Sequence, residues 1–225
     1  MCQEKLRFYS NENMLKNLQK QGEPKIMTIR VFYKTAHFNE FLSTCNGGFN
    51  AEDHFGYNVS HAEILNQALQ VLLSSPTGRR LYNHLSGSQD IRIVIFPGGN
   101  DTLFMSPSLS KDIIGKETGI VSVQPELLLN ELDPDRSKPD SHLLAASIAH
   151  ELGHAHQFLE HKEWYEDNFK KSAENEENKC IIESHCVKFY EHPVCNELGL
   201  KTRDNYVQCA NVNAYDYNYP RELRL

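Results

Sequence analysis

No apolar run in these 225 residues approaches the length of a membrane span. The opening stretch, MCQEKLRFYSNENMLKNLQKQGEPK, lacks the apolar centre of a cleavable secretory signal. Basic charge is short as well. Against 30 Asp and Glu stand 23 Lys and Arg, for a net charge of −7 and a pI near 5.9. A nucleic-acid binder would show a basic face, so this balance argues against that class. The six cysteines, Cys2, Cys45, Cys180, Cys186, Cys195 and Cys209, form no CxxC pair. Their irregular spacing and the missing signal favour free thiols in a reducing cytosol and argue against a cysteine zinc site. Internal repeats and dividing linkers are absent too. A chain of this length with a 40 % hydrophobic share suits one domain with a real core.

Residues 143–161, LLAASIAHELGHAHQFLEH, stand out against this background. They contain His150-Glu151-Leu152-Gly153-His154, an HExxH motif. On a helix, positions i and i+4 lie on one face, so both imidazoles can reach one metal ion. Neutral imidazole nitrogen is a good zinc ligand. Glu151 borders that ion without having to bind it, where a general base for a metal-activated water belongs. Leu143, Leu144, Ile148, Leu152, Ala155, Phe158 and Leu159 lay an apolar stripe along the same helix. Polar side chains in such a buried helix are costly unless paired or ligated.

Elsewhere the chain alternates strand and helix signals. Residues 1–24 are polar and read as a flexible arm. Residues 26–34, IMTIRVFYK, read as a strand, and 38–60 as loop, with room for a short helix at its start. Residues 61–85 are helical, interrupted at Ser75-Pro76 because a residue before proline avoids the α region. Pro76 then opens a second helix that Gly87 ends. Residues 90–97 read as a strand, 97–101 as a turn, and 115–125 as a shorter strand centred on Ile120, Val121 and Val123. Asp140 or Ser141 is the expected cap of the HExxH helix. Residues 162–175 read as a departure and turn, 174–191 as helix, and 192–225 carry few periodic signals.

A catalytic zinc needs three protein ligands and an open position. Gln157 stands where an HExxHxxGxxH protein has the glycine that turns its chain, so Glu160 should point away from the metal. The remaining candidates are Glu176, Glu183, His161, His185 and His192. Taken alone, each acid of the 174–177 run suits a solvated helix start.

Several segments, in order, carry a resemblance: SSPTGRRLYNHL (74–85), IVSVQPE (120–126), AHELGHAHQ (149–157), EENKCI (176–181) and NELGLKTRDNY (196–206). Together they resemble the NleD-type zinc metalloproteases that bacterial pathogens deliver into host cells. More distantly they are similar to clostridial neurotoxin light chains. The resemblance implies an α+β, zincin-like catalytic domain over 25–225, with a small mixed sheet above the HExxH helix and the 119–123 strand as its substrate-aligning edge. It implies one Zn2+ per chain, held by His150, His154 and Glu176, with Glu177 supporting a ligand from behind. Cys180 stands where the family has Thr, which keeps Glu183 open as the alternative ligand. Arg203 and Tyr206 match the family's Arg-x-x-Tyr pair, and Glu191-His192 half matches its Glu-Asn. The implied activity is cleavage of a host protein, of the signalling-kinase or cytoskeletal class, in the host cytosol. Delivery would use a bacterial secretion system without a cleavable signal. A zinc hydrolase on a non-protein substrate and a non-enzymatic binding module remain alternatives.

Overall fold

A computed structural model describes residues 28–45, 55–98, 102–124, 137–172 and 176–203. The arm at 1–24 lies outside them. Four short strands form one mixed sheet: β1 (Ile29–Val31), β2 (Ile93–Pro97), β3 (Leu103–Met105) and β4 (Gly119–Val123). Their spatial order is β1-β2-β4-β3. β1 and β4 flank β2 in parallel, with Val31 opposite Ile95 and Ile95 opposite Val121. β3 runs antiparallel to β4, with Phe104 opposite Val121.

Successive side chains of a strand point to opposite faces. Ile93, Ile95, Val121 and Val123 enter the larger core. Val94, Phe96 and Ile120 enter a second core with Phe32, Phe38 and Leu42. Both faces are covered, which is why β2 reads as an unbroken apolar run and β4 as one interrupted only by Ser122. On the second face lies α1 (Thr35–Ser43), whose Phe38 stacks on Phe96 at 4.3 Å between ring centroids. The first face is covered by α2 (Ala62–Ser74), α3 (Pro76–Gly87) and the long α5 (Asp140–Glu160). Four further helices are α4 (Pro107–Ile114), α6 (Lys162–Ser172), α7 (Glu176–Cys186) and α8 (His192–Leu198), the last two joined by a π-helical segment, Val187–Glu191. No helix among the described residues is long and apolar enough to cross a membrane.

The structure departs from the sequence expectations at several points. β4 is an inner strand, because residues 103–105 turn back and hydrogen-bond to its outer side; among the described residues β3 is the edge on that side. Three residues are too few to show alternation. α4 follows β3 unforeseen, although Ser106 caps it, Pro107 opens it and Gly115 closes it at φ 71°. α5 starts directly after Pro139 and uses no side-chain cap; Asp140 is its first residue and suits the positive helix end. Residues 162–172 form α6 after a single-residue break at His161, and residues 192–198 form α8. Cys180 is disulfide-bonded, whereas Cys45, Cys186 and Cys195 are free thiols. Spacing alone does not show which cysteines meet.

Two of the segments singled out in the sequence touch. Glu197 of α8 sits over the start of α3 and accepts from the Ser75 hydroxyl (2.6 Å), the Thr77 amide (3.0 Å) and the Thr77 hydroxyl (2.7 Å). Ser75 in turn accepts from the Gly78 amide at 2.9 Å. Partial burial alone would raise the Glu197 carboxyl. The donors of Ser75 and Thr77 and the Arg80 charge outweigh it and hold the group below the usual carboxylate range. A lowered carboxylate adds stability above its unfolded value and loses it as pH falls through the folded one. Glu197→Ala should cost about 1 kcal/mol, as for a lost helix cap, or about 2–4 °C in Tm for a chain of this size. Thermal melts from neutral to acidic pH should show the gap closing as the wild-type carboxylate protonates.

Candidate metal centre

Both motif histidines are buried on the inner face of α5. Their rings meet edge to face at 4.8 Å between centroids, and their Nε2 atoms are 3.1 Å apart. Glu183 arrives from α7. Its Oε2 lies 3.0 Å from His150 Nε2 and 3.5 Å from His154 Nε2. Three ligand-type atoms thus form a triangle with edges of 3.0, 3.1 and 3.5 Å. Ligands about 2.05 Å from a tetrahedral metal are about 3.3 Å apart, so the triangle has the size that one ion requires. Cys186, one turn beyond Glu183, joins the histidines in a buried group whose ligand atoms lie within 4.8 Å of one another and can hold a metal ion. Its Sγ stands 3.1 Å from His154 Nδ1, on the ring edge away from the triangle. Burial first, then the charges of Glu183, Glu151 and Glu191, push this thiol well above its ordinary range, and a thiolate is what a metal needs.

Each histidine has its other nitrogen occupied. His150 Nδ1 is 3.1 Å from Glu191 Oε2, and His154 Nδ1 is 3.1 Å from Gln157 Oε1. A ring that donates from Nδ1 presents the Nε2 lone pair to an ion and is held in one orientation. Gln157 is itself anchored, donating to the Ile182 carbonyl at 3.3 Å. Glu191 accepts from Arg203 through Nε at 2.8 Å and a terminal nitrogen at 2.7 Å. His192 contacts the Arg203 carbonyl through Nε2.

The cluster attracts positive charge. Burial pulls the His150 imidazolium down, yet the hydrogen bonds and charges of Glu183, Glu191 and Glu151 outweigh it and push the group up to about 10. Burial likewise opposes ionisation of Glu183, and the imidazoles of His154 and His150 win, holding it well below the usual range. For Glu191 the same contest is decided by His150 and Arg203. Glu151 is buried beside them.

The π segment brings the two acids into line. Glu191 lies eight residues beyond Glu183. At about 100° per residue, that many α-helical residues would turn it about 80° away. A π turn takes in one extra residue and restores the rotation to within about 20° of two full turns. Both carboxylates then face His150. Gly153 makes the approach possible. A Cβ there would lie 2.6 Å and 2.7 Å from ring carbons of Tyr190.

Among the expected site residues, His150, His154 and Glu151 gather on α5, and Glu183 joins them. Glu176 and Glu177 open α7, and their side chains lie outside the described residues, as does Tyr206. Arg203 is present, bonded to Glu191. Glu160 is turned away, 2.7 Å from His84. No motif marks the supporting Gln157 or the nearby Cys186, and Glu191 stands out in the sequence only as half of a matched pair. Tyr165 is unmarked too; it is buried, with its ring 6.2 Å from that of His154. Glu191 and Gln157 offered one signal, a polar residue inside an apolar helical stretch. No family model, no curated protein and no solved structure matches the chain.

Gly153→Ala tests the close approach. Alanine gains about 1 kcal/mol in helix propensity, but overpacking against a fixed ring costs about 1–3 kcal/mol and wins where the neighbour cannot move. The variant should melt below wild type, and a higher Tm would show that Tyr190 gives way.

Proposed function

We propose that this chain is a zinc-dependent endopeptidase with a zincin-like domain. The observation that carries the reading is the triangle of His150 Nε2, His154 Nε2 and Glu183 Oε2 beside Glu151. These three residues would hold one zinc ion, with Glu183 rather than Glu176 as third ligand. When bound, the ion polarises a scissile carbonyl and lowers the pKa of its water. Glu151 takes the proton from the attacking water and delivers it to the leaving amine. Glu191 and Gln157 keep the imidazoles oriented, and Arg203 fixes Glu191. The resemblance to NleD-type enzymes implies that Arg203 and Tyr206 would supply a cation and a phenol donor to the developing oxyanion. The side of β3 that pairs with no strand among the described residues would align an extended segment of substrate by strand addition, which favours a peptide over a small ester or amide. The resemblance of these segments to NleD-type enzymes is what supports delivery by a bacterial secretion system into a host cytosol and a host protein of the signalling-kinase or cytoskeletal class as substrate.

Elemental analysis decides the ligand set. Glu183→Gln should lose the zinc held at this triangle, while Glu176→Gln keeps it. The opposite pattern would return the third ligand to Glu176. Glu191→Gln should weaken zinc binding about 10–100-fold, the usual cost of losing a carboxylate behind a ligand histidine. For activity, new N-termini in a host-cell lysate should appear with wild type and vanish with Glu151→Gln at unchanged zinc content. Losing a general base slows the reaction by about 10²–10⁴-fold. Cleavage undiminished in Glu151→Gln would sink the mechanism, and an unchanged lysate with zinc-loaded wild type would favour a non-protein substrate or a binding module.

A further inference from the structure

α5 carries a second pair of ligand-type residues four positions apart. His156 and Glu160 are separated by one turn, as His150 and His154 are. His156 points away from the triangle. His84, in the last turn of α3, comes up against both. His84 Nε2 is 2.7 Å from Glu160 Oε1, and the His84 and His156 rings are 4.7 Å apart between centroids. The ligand atoms of all three residues lie within 4.8 Å of one another. We propose that His84, His156 and Glu160 form a second metal site, taking a zinc-like divalent ion, that clamps the end of α3 to the end of α5.

The chemistry and the access both suit such an ion. Two imidazoles and one carboxylate form a donor set of intermediate softness, which suits zinc better than magnesium or calcium. His156 is buried, and its Nδ1 meets the Tyr190 hydroxyl at 3.0 Å. Donation from Nδ1 to that hydroxyl leaves Nε2 as the ligand nitrogen and holds the ring still. The other two side chains are open to solvent, His84 at 44 % and Glu160 at 39 % exposure, so an ion can enter without unfolding anything. An exposed histidine–glutamate pair by itself contributes little, because solvent screens it. A bound ion would join two helices that the pair alone holds weakly. The clamp also bears on the first centre through packing, because Tyr190 holds His156 and lies against Gly153.

Zinc alone is the probe. The purified chain is stripped, reloaded at micromolar free zinc, desalted and measured for zinc per chain. Wild type should carry about two zinc ions, one per three-ligand set. His84→Ala and Glu160→Gln, both at exposed positions, should each remove one ion and leave the Glu151-dependent activity. Glu183→Gln should remove the other and leave this one. In the Glu183→Gln background, added zinc should still raise Tm, and that rise should vanish when His84→Ala is added. A single zinc in wild type, lost in Glu183→Gln and untouched by His84→Ala, would overturn the second site and leave the first. Zinc lost in His84→Ala but retained in Glu183→Gln would do the reverse.

Discussion

Glu191 is fully buried, 3.1 Å from His150 Nδ1 and 2.7 Å from the Arg203 guanidinium. A carboxylate in that position has lost its hydration, a penalty of several kcal/mol that only nearby positive charge can offset. With Glu151 and Glu183 close by, acids outnumber fixed cations among the described side chains that face His150. The result is a core that draws positive charge and could hold a metal ion. The elements around it are arranged to keep those carboxylates aimed at the two imidazoles.

Three local features do this. The π segment puts Glu183 and Glu191 on one side of a nearly continuous helix. Gly153, inside the motif itself, lets the Tyr190 ring come against α5. Arg203 reaches back to hold Glu191. Glu197 anchors α8 just before Arg203, tying the end of the described chain to the start of α3. Motif and support are therefore mechanically connected, and the SSPTGRR and NELG segments matter as the two halves of that anchor.

The larger helices and inner strands were legible because each had a long enough period or a clear punctuation. α2 and α3 showed helical spacing broken at Ser75-Pro76, and β2 and β4 showed apolar runs bounded by turn residues. β3 escaped because three residues carry no period. α6 escaped because its sequence, KEWYEDNFKKS, is mostly polar, so its helical state owes more to its place between α5 and α7 than to its own pattern. The sheet order was also hidden, since strand pairing is a property of the whole chain.

By itself the sequence determined that His150, Glu151 and His154 share one helical neighbourhood, because a spacing of four on a helix is a matter of local geometry. It also showed that this helix is buried. It left the third acid open between Glu176 and Glu183, since both lie within reach of a returning helix. Tertiary structure places Glu183 beside both imidazoles, Glu191 behind His150, Gln157 behind His154 and Arg203 on Glu191. Those contacts depend on where α7 crosses α5 and on one extra residue in a π turn. A shift of one residue there turns a side chain by about 100°, and only the packed chain settles it.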